Sequence, residues 1–211
     1  MGLALEKDAE ECYSVDMNDA VRHGMCVSIL ASELARELGC DEEFVHKAAV
    51  AGMLHDVGKI QISPYIYGRR QGAMKIEEMR YVRLHAKLGA EILKREGYDQ
   101  DIVDMVHYHH ENYDGSGYPY RMCGDEIPLG ARIIRVCDVF SALISNRPYR
   151  KAFDADTAFG MVIDEVRHFD MKVFLAFQRL INTTDVLGRE ETGIRCSMET
   201  YRDLTKNKKS V

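Results

Sequence analysis

A chain of 211 residues with 46% hydrophobic and 29% charged residues has the balance of an ordinary globular protein and enough apolar material for one sizeable core. Its formal net charge of −6 argues against a broad nucleic-acid surface, so an anionic substrate has to be drawn in by local positive charge. No apolar run reaches the roughly 20 residues of a membrane span, and the six cysteines (Cys12, Cys26, Cys40, Cys123, Cys137 and Cys196) form no C-x-x-C pair, which argues against a zinc knuckle or a disulfide framework.

The first residues, MGLALEKDAEEC, are acidic where a secretory leader is basic, and Glu6 stands where a myristoylation signal has Ser or Thr. Both readings point to the cytoplasm. Helical spacing then dominates the chain. Val21, Met25, Ile29, Leu30, Leu34 and Leu38 predict a helix over 18–38, stopped by Gly39. Asp41 caps a second, with Phe44, Ala48, Ala51 and Leu54 leading into His55 and Asp56, and Gly58 ends it. Residues 60–74, with Pro64, Gly68 and Gly72, read as a connection. A helix from Glu77 to about Arg95 contains His85, and Asp99 caps a short one that runs to His109 and His110. A loop spans 112–128. Helices follow from Leu129 to Leu143, from Asp154 to about Glu165, and from Met171 to Ile181, so the fold class is all-α, one compact helical bundle. Beyond Asn182 the pattern weakens toward the basic end TKNKKSV, which divides the chain into a domain over 1–185 and a C-terminal extension over 186–211.

Two stretches organise the rest: HDVGK at 55–59 and HHENYDGSGYP at 109–119. Neither completes a transition-metal site alone, because such sites take four to six donors. Asp19 and His23 lie one turn apart on a predicted helix and share a face; taken alone, they are better read as a solvated pair. His55 and Asp56 are about 100° apart on a helix, which suits a helix end where the carboxylate bridges two ions. His109 and His110 have the same geometry beside a glycine-rich loop. Asp138 lies in the apolar stretch ARIIRVCDVFSAL, where an unpaired carboxylate is costly; its partner is either a metal or an arginine such as Arg132 or Arg135. His23, His55, His85, His109 and His110 are the candidate ligands. His46 is expected to face solvent, His107, one turn before His110, to support the ligands or compete with them as one, and His168 to pack or hydrogen bond. Imidazole and carboxylate donors without thiolate favour iron or manganese over structural zinc. Two ions would clamp the phosphoryl oxygens during in-line attack, with Lys59 neutralising charge that develops on phosphate.

In this order (His23, HDVGK, His85, HHENYDGSGYP, Asp138, RPYR) the chain resembles the HD-GYP group of the HD phosphohydrolase superfamily over about residues 16–181. The resemblance implies an all-helical metal-dependent phosphodiesterase, cutting cyclic di-GMP to linear pGpG or GMP by attack of a metal-activated hydroxide. It implies metal ligands at His23, His55, Asp56, His85, His109, His110 and Asp138, and a third ion where some members have a glutamate at the position of Asp19. Asp56 and Lys59 take the catalytic roles, and Tyr118, Arg147 and Arg150 the substrate-binding ones. An aromatic ring can stack on a base and guanidinium groups pair with phosphate in a fork; the alternatives are a loop anchor for Tyr118 and a helix-end charge cluster for the arginines. The expected partners are a cyclic dinucleotide, diguanylate cyclase (GGDEF) proteins and a second copy of the chain, with no nucleic-acid polymer and no membrane. The chain departs from the group's VFDALTSDRPYR, having VFSALISNRPYR, so that Ser141, Ile144 and Asn146 replace two acids and a threonine; HFDM at 168–171 lacks a usual proline. Two other readings stand beside this one: a phosphohydrolase of another nucleotide, and a non-catalytic module that binds cyclic di-GMP or a protein.

Overall fold

A computed structural model describes residues 2–66, 80–146 and 150–183, without the side chains of 2–17 and 63–66. Among the described residues the fold is all-helical, with an isolated β-bridge between Asp114 and Cys123. Eight α-helices follow in order: α1 Gly2–Glu37, α2 Glu42–Leu54, α3 Lys59–Ile66, α4 His85–Arg95, α5 Gln100–Tyr108, α6 Leu129–Ile144, α7 Ala155–Asp164 and α8 Met171–Thr183. Short 3-10 turns lie at Gly124–Glu126 and Val166–His168. The anticipated extension over 186–211 lies outside the described residues. No described helix is long and apolar enough to cross a membrane.

Helix starts follow local chemistry. Asp41 accepts a hydrogen bond from the Phe44 amide at 2.8 Å, Asp99 from the Asp101 amide at 3.0 Å, and Asp154 from the Thr157 amide at 2.9 Å. Each satisfies an amide that the first helical turn leaves without a partner. Helix α1 runs through the middle of the bundle and packs on α2, α6 and α8, and α6 also meets α5 and α7. The core is formed by Val27, Leu30 and Leu34 of α1, Val45, Ala48 and Ala51 of α2, Ile133, Ile134, Val136 and Phe140 of α6, and Phe174 and Phe177 of α8.

Three expectations need correction. The buried stripe of α1 passes through Val27, Ala31 and Leu34, whereas Val21 and Met25 are exposed, because at that level the inward face is given to His23 and Gly24. Residues 59–66 form α3 rather than a connection; Pro64 falls near the end of a short helix, where its missing amide forfeits one hydrogen bond. The helix expected from Glu77 is interrupted. Residues 80–82 are helical, Arg83 and Leu84 form a turn, and α4 begins at His85.

Candidate metal centre

Three histidines are presented in the same way, each by a turn at a helix end. His55 and His109 are the residues that close α2 and α5, and His85 opens α4. In each, Nδ1 lies against the carbonyl three residues earlier: His55 on Gly52 at 2.8 Å, His85 on Val82 at 2.6 Å, and His109 on Val106 at 2.6 Å. A carbonyl oxygen only accepts, so Nδ1 carries a proton and Nε2 is the atom directed into the interior; in His85 and His109, held neutral by burial, it presents its lone pair. Sequence periodicity cannot show this device, because it depends on where each helix stops.

These Nε2 atoms converge. His85 Nε2 lies 3.3 Å from His109 Nε2 and 3.1 Å from His110 Nε2. His85 and His109, whose Nδ1 protons are committed to carbonyls, face one another there with lone pairs, which is repulsive unless a cation lies between them. Asp56 stands in the middle of the centre. Its Oδ1 is 3.3 Å from His85 Nε2 and its Oδ2 is 3.4 Å from His55 Nε2, so the two oxygens of one carboxylate face two different ligand groups. His55 Nε2 and Asp56 Oδ1 are buried without any hydrogen-bond partner. Orphaned donors of this kind in a buried cluster are what a divalent ion satisfies.

On the other side, His23 Nε2 lies 2.9 Å from Asp138 Oδ1, which is 3.7 Å from His55 Nε2. His23 Nδ1 meets the hydroxyl of Ser141 at 3.0 Å, so the serine that departs from the family pattern supports a ligand-position imidazole directly. The arginine alternative for Asp138 fails: Arg132 pairs with Asp125 and Asp170, and Arg135 hydrogen bonds to Asn112. Three triads have ligand atoms within 4.8 Å of one another: His23, His55 and Asp138; His55, Asp56 and His109; and His85, His109 and His110. Shared members join them into one elongated cluster of seven side chains.

Electrostatics divides the cluster. Burial pushes His85, His109 and His110 down, His110 to about 3, so all three are neutral and ready to ligate. Burial also opposes protonation of His55, but Asp56 and Asp138 outweigh it and lift His55 to about 10. Burial likewise opposes ionisation of Asp56 and Asp138, yet the flanking His55 and Lys59 hold Asp56, and His23 and His55 hold Asp138, well below the usual carboxylate range. Histidines held neutral in the fold bind fewer protons than the unfolded chain below pH 6.5. The stability of the metal-free protein is therefore expected to fall as pH drops from 6.5, by about 1 kcal/mol per pH unit from His110 alone. His55 contributes nothing to that loss, because the stability its raised pKa supplies is complete below 6.5 and is lost only as pH rises toward 10. A melting temperature independent of pH between 7 and 5 in chelator-treated protein would contradict this.

The loop after His110 is shaped by a residue that the sequence reading passed over. The buried carboxylate of Glu111 accepts the amides of Tyr120 at 2.6 Å and Met122 at 3.1 Å, folding the Gly-Tyr-Pro segment back. A side chain at Gly117 would run into the backbone of His110 and Asn112, so only glycine fits there. As a result the Tyr118 ring stacks on His110, with centroids 4.7 Å apart, and Arg83 lies over Tyr118 at 5.0 Å. An anchoring role for Tyr118 is therefore visible; Glu111 stands inside the HHENYDGSGYP motif, which gives it no role by itself, and Arg83 lies outside every motif.

The remaining expected site residues are placed as follows. Lys59 Nζ lies 2.6 Å from Asp56 Oδ2, on the rim of the cluster. Asp19 is exposed, its carboxylate 3.9 Å from Arg22, and it belongs to none of the three triads. Arg147 lies outside the described residues. The Arg150 guanidinium donates to the carbonyls of Ala142, Leu143 and Lys151 at 2.9–3.0 Å and lies over Phe153 at 4.4 Å. The bonds to Ala142 and Leu143 close the C-terminus of α6, the helix-end role, because the last turn of any helix leaves carbonyls without partners. Arg150→Ala is expected to lower stability by about 1–2 kcal/mol, read as a drop in melting temperature. His46 is exposed and His168 accepts from Arg167, whereas His107 packs against Tyr108 and Tyr120 and belongs to none of the three triads.

The HD domain family model matches residues 8–173. The chain is 36% identical over 174 residues to the cyclic di-GMP phosphodiesterase PA4108 of Pseudomonas aeruginosa, covering 81% of this chain and 42% of that protein. It is 34% identical over 165 residues to 3'3'-cGAMP-specific phosphodiesterase 3 of Vibrio cholerae, covering 76% and 35%. It thus spans less than half the length of these curated relatives. Its fold is similar to the HD domain of L. monocytogenes phosphodiesterase PgpH in complex with cyclic-di-AMP, with a TM-score of 0.58 at 20% identity, covering 83% of this chain and 94% of that one. A buried histidine–aspartate cluster, the Gly-Tyr-Pro loop folded onto it and a family match over most of the sequence lead to one assignment: the chain belongs to the HD domain family, of the HD-GYP type.

Proposed function

We propose that this chain is a metal-dependent phosphodiesterase that hydrolyses cyclic di-GMP to pGpG or GMP. The observation that carries the reading is Asp56, whose two oxygens face two separate groups of imidazoles. The HD phosphohydrolase superfamily binds divalent metals, and the residues fit a pair of them. His23, His55, Asp56 and Asp138 would hold one ion, and Asp56, His85, His109 and His110 the other. The all-nitrogen-and-oxygen donor set favours iron or manganese. Bound together, such ions supply an acidified water and Lewis-acid contact with phosphoryl oxygens.

The chain's own residues do the rest. Nδ1 bonds to Gly52, Val82 and Val106 fix the orientation of three ligand imidazoles, and the Nε2 proton that Asp56 and Asp138 stabilise on His55 would be replaced by a bound metal. Lys59 beside Asp56 places a positive charge at the rim, where a phosphate would enter. Asp19 contributes a third site only if its exposed carboxylate turns from Arg22 toward His23.

The test is turnover of cyclic di-GMP by protein purified without oxygen and loaded with ferrous iron or manganese, alongside metal analysis. Formation of the linear product supports the reading, and fully loaded protein that yields none rejects it. A second reading, hydrolysis of 3'3'-cGAMP, is favoured by the Vibrio cholerae relatives of that specificity at 31–34% identity, and competition between the two cyclic dinucleotides decides between them. Tight binding without turnover would favour the non-catalytic module. Association with GGDEF proteins and a homodimer remain part of the proposal.

A further inference from the structure

The cations around the cluster are mostly committed. Arg132 is ion-paired with Asp125 and Asp170, Arg135 is bonded to Asn112, Lys59 is held at Asp56, and Arg150 closes a helix end. Arg83 differs. It lies in the turn two residues before His85, is exposed, and places its guanidinium carbon 5.0 Å from the centre of the Tyr118 ring. Among the described residues none accepts a hydrogen bond from it. The same ring stacks on His110, so a single aromatic residue links this guanidinium to the ligand imidazoles. Stacking uses the flat face of a guanidinium and leaves its N–H edge available, while the ring limits its freedom. An edge of that kind matches two phosphate oxygens at once.

Resting on the proposed function, we infer that Arg83 binds the phosphodiester of a cyclic dinucleotide that is not being cut. A cyclic dinucleotide carries two such groups. The one undergoing hydrolysis is engaged at the Asp56 centre, and the other needs a cation outside it. With Arg150 spent on α6, Arg83 is the described arginine whose position beside Tyr118 meets that need. Lysine is a poor substitute, because it offers a point charge without the fork and without the stack on the ring.

The experiment compares wild type, Arg83→Ala and Arg83→Lys, all manganese-loaded, on cyclic di-GMP and on bis(p-nitrophenyl) phosphate, which has one phosphodiester. Arg83→Ala should raise KM for cyclic di-GMP about tenfold or more, the loss of one charged phosphate contact, with kcat within about twofold. Arg83→Lys should recover only part of the loss, and both constants for the single-phosphate substrate should stay near wild type. Manganese content should be the same in all three proteins. Equal losses on both substrates, or loss of metal, would overturn the inference and make Arg83 a prop for the Tyr118–His110 stack. An unchanged KM for cyclic di-GMP would also overturn it. If wild type binds cyclic di-GMP without cutting it, the function reading fails while the dissociation constants of the same variants still decide the role of Arg83.

Discussion

Asp56→Ala is expected to abolish phosphodiesterase activity, by at least ~10³-fold in kcat/KM, which corresponds to about 4 kcal/mol of transition-state stabilisation. Of the seven clustered side chains it alone has oxygens facing both ends, at 3.4 Å from His55 and 3.3 Å from His85. Its removal should therefore lower metal content at both sites, whereas loss of a terminal ligand such as His110 affects one. Asp56→Asn keeps the volume but halves the donor oxygens and removes the charge, so it should behave nearly as badly. The metal-free variants change in the opposite direction in one respect. Without Asp56, His55 loses the nearer of the two carboxylates that lift it to about 10, so its titration, followed by NMR, moves down. Metal analysis showing two ions per chain in Asp56→Ala, with turnover near wild type, would dismantle the bridging role.

The legibility of this centre varied by residue for physical reasons. Capping aspartates and helical spacing placed most helix ends, since Asp41, Asp99 and Asp154 act within three residues of themselves. The ligand candidates could be named because adjacent His-Asp and His-His pairs at helix ends are unusual chemistry for a surface. What could not be read was which way the supporting groups turned. Arg150 reads from its sequence as a phosphate contact, and only the position of the α6 carbonyls shows that it also bonds at a helix end. Glu111 is one more acid in a polar stretch until the chain folds back and presents two amides to it. Arg83 becomes interesting only through Tyr118, 35 positions away by subtraction of the residue numbers. Long-range partners of this sort leave no period and no local motif.

Gly58→Ala is expected to be strongly destabilising for the addition of a single methyl group. The residue closes the turn that carries His55 and Asp56, and a Cβ there would be driven into the carbonyl of His85 and the amide of Gly89. Both obstacles are backbone atoms of α4, which cannot rotate aside as a side chain could. Relief requires the start of α4 to retreat from the turn, and that retreat carries His85 away from Asp56. The expected cost is about 3 kcal/mol or more, at the upper end of overpacking penalties, and metal affinity should fall with it. Gly89→Ala is the informative companion. Its Cβ would meet chiefly the Val106 side chain at 3.2 Å and the Gly58 amide at 3.4 Å, contacts that a few tenths of an ångström relieve, so a loss of about 1 kcal/mol is expected. If Gly58→Ala does not fold, Gly89→Ala still tests the packing, since it should fold, retain metal and melt slightly lower. Equal melting temperatures for the two variants would mean that α4 does not rest on the turn as closely as the fold requires, and the alignment of His85 with Asp56 would need another explanation.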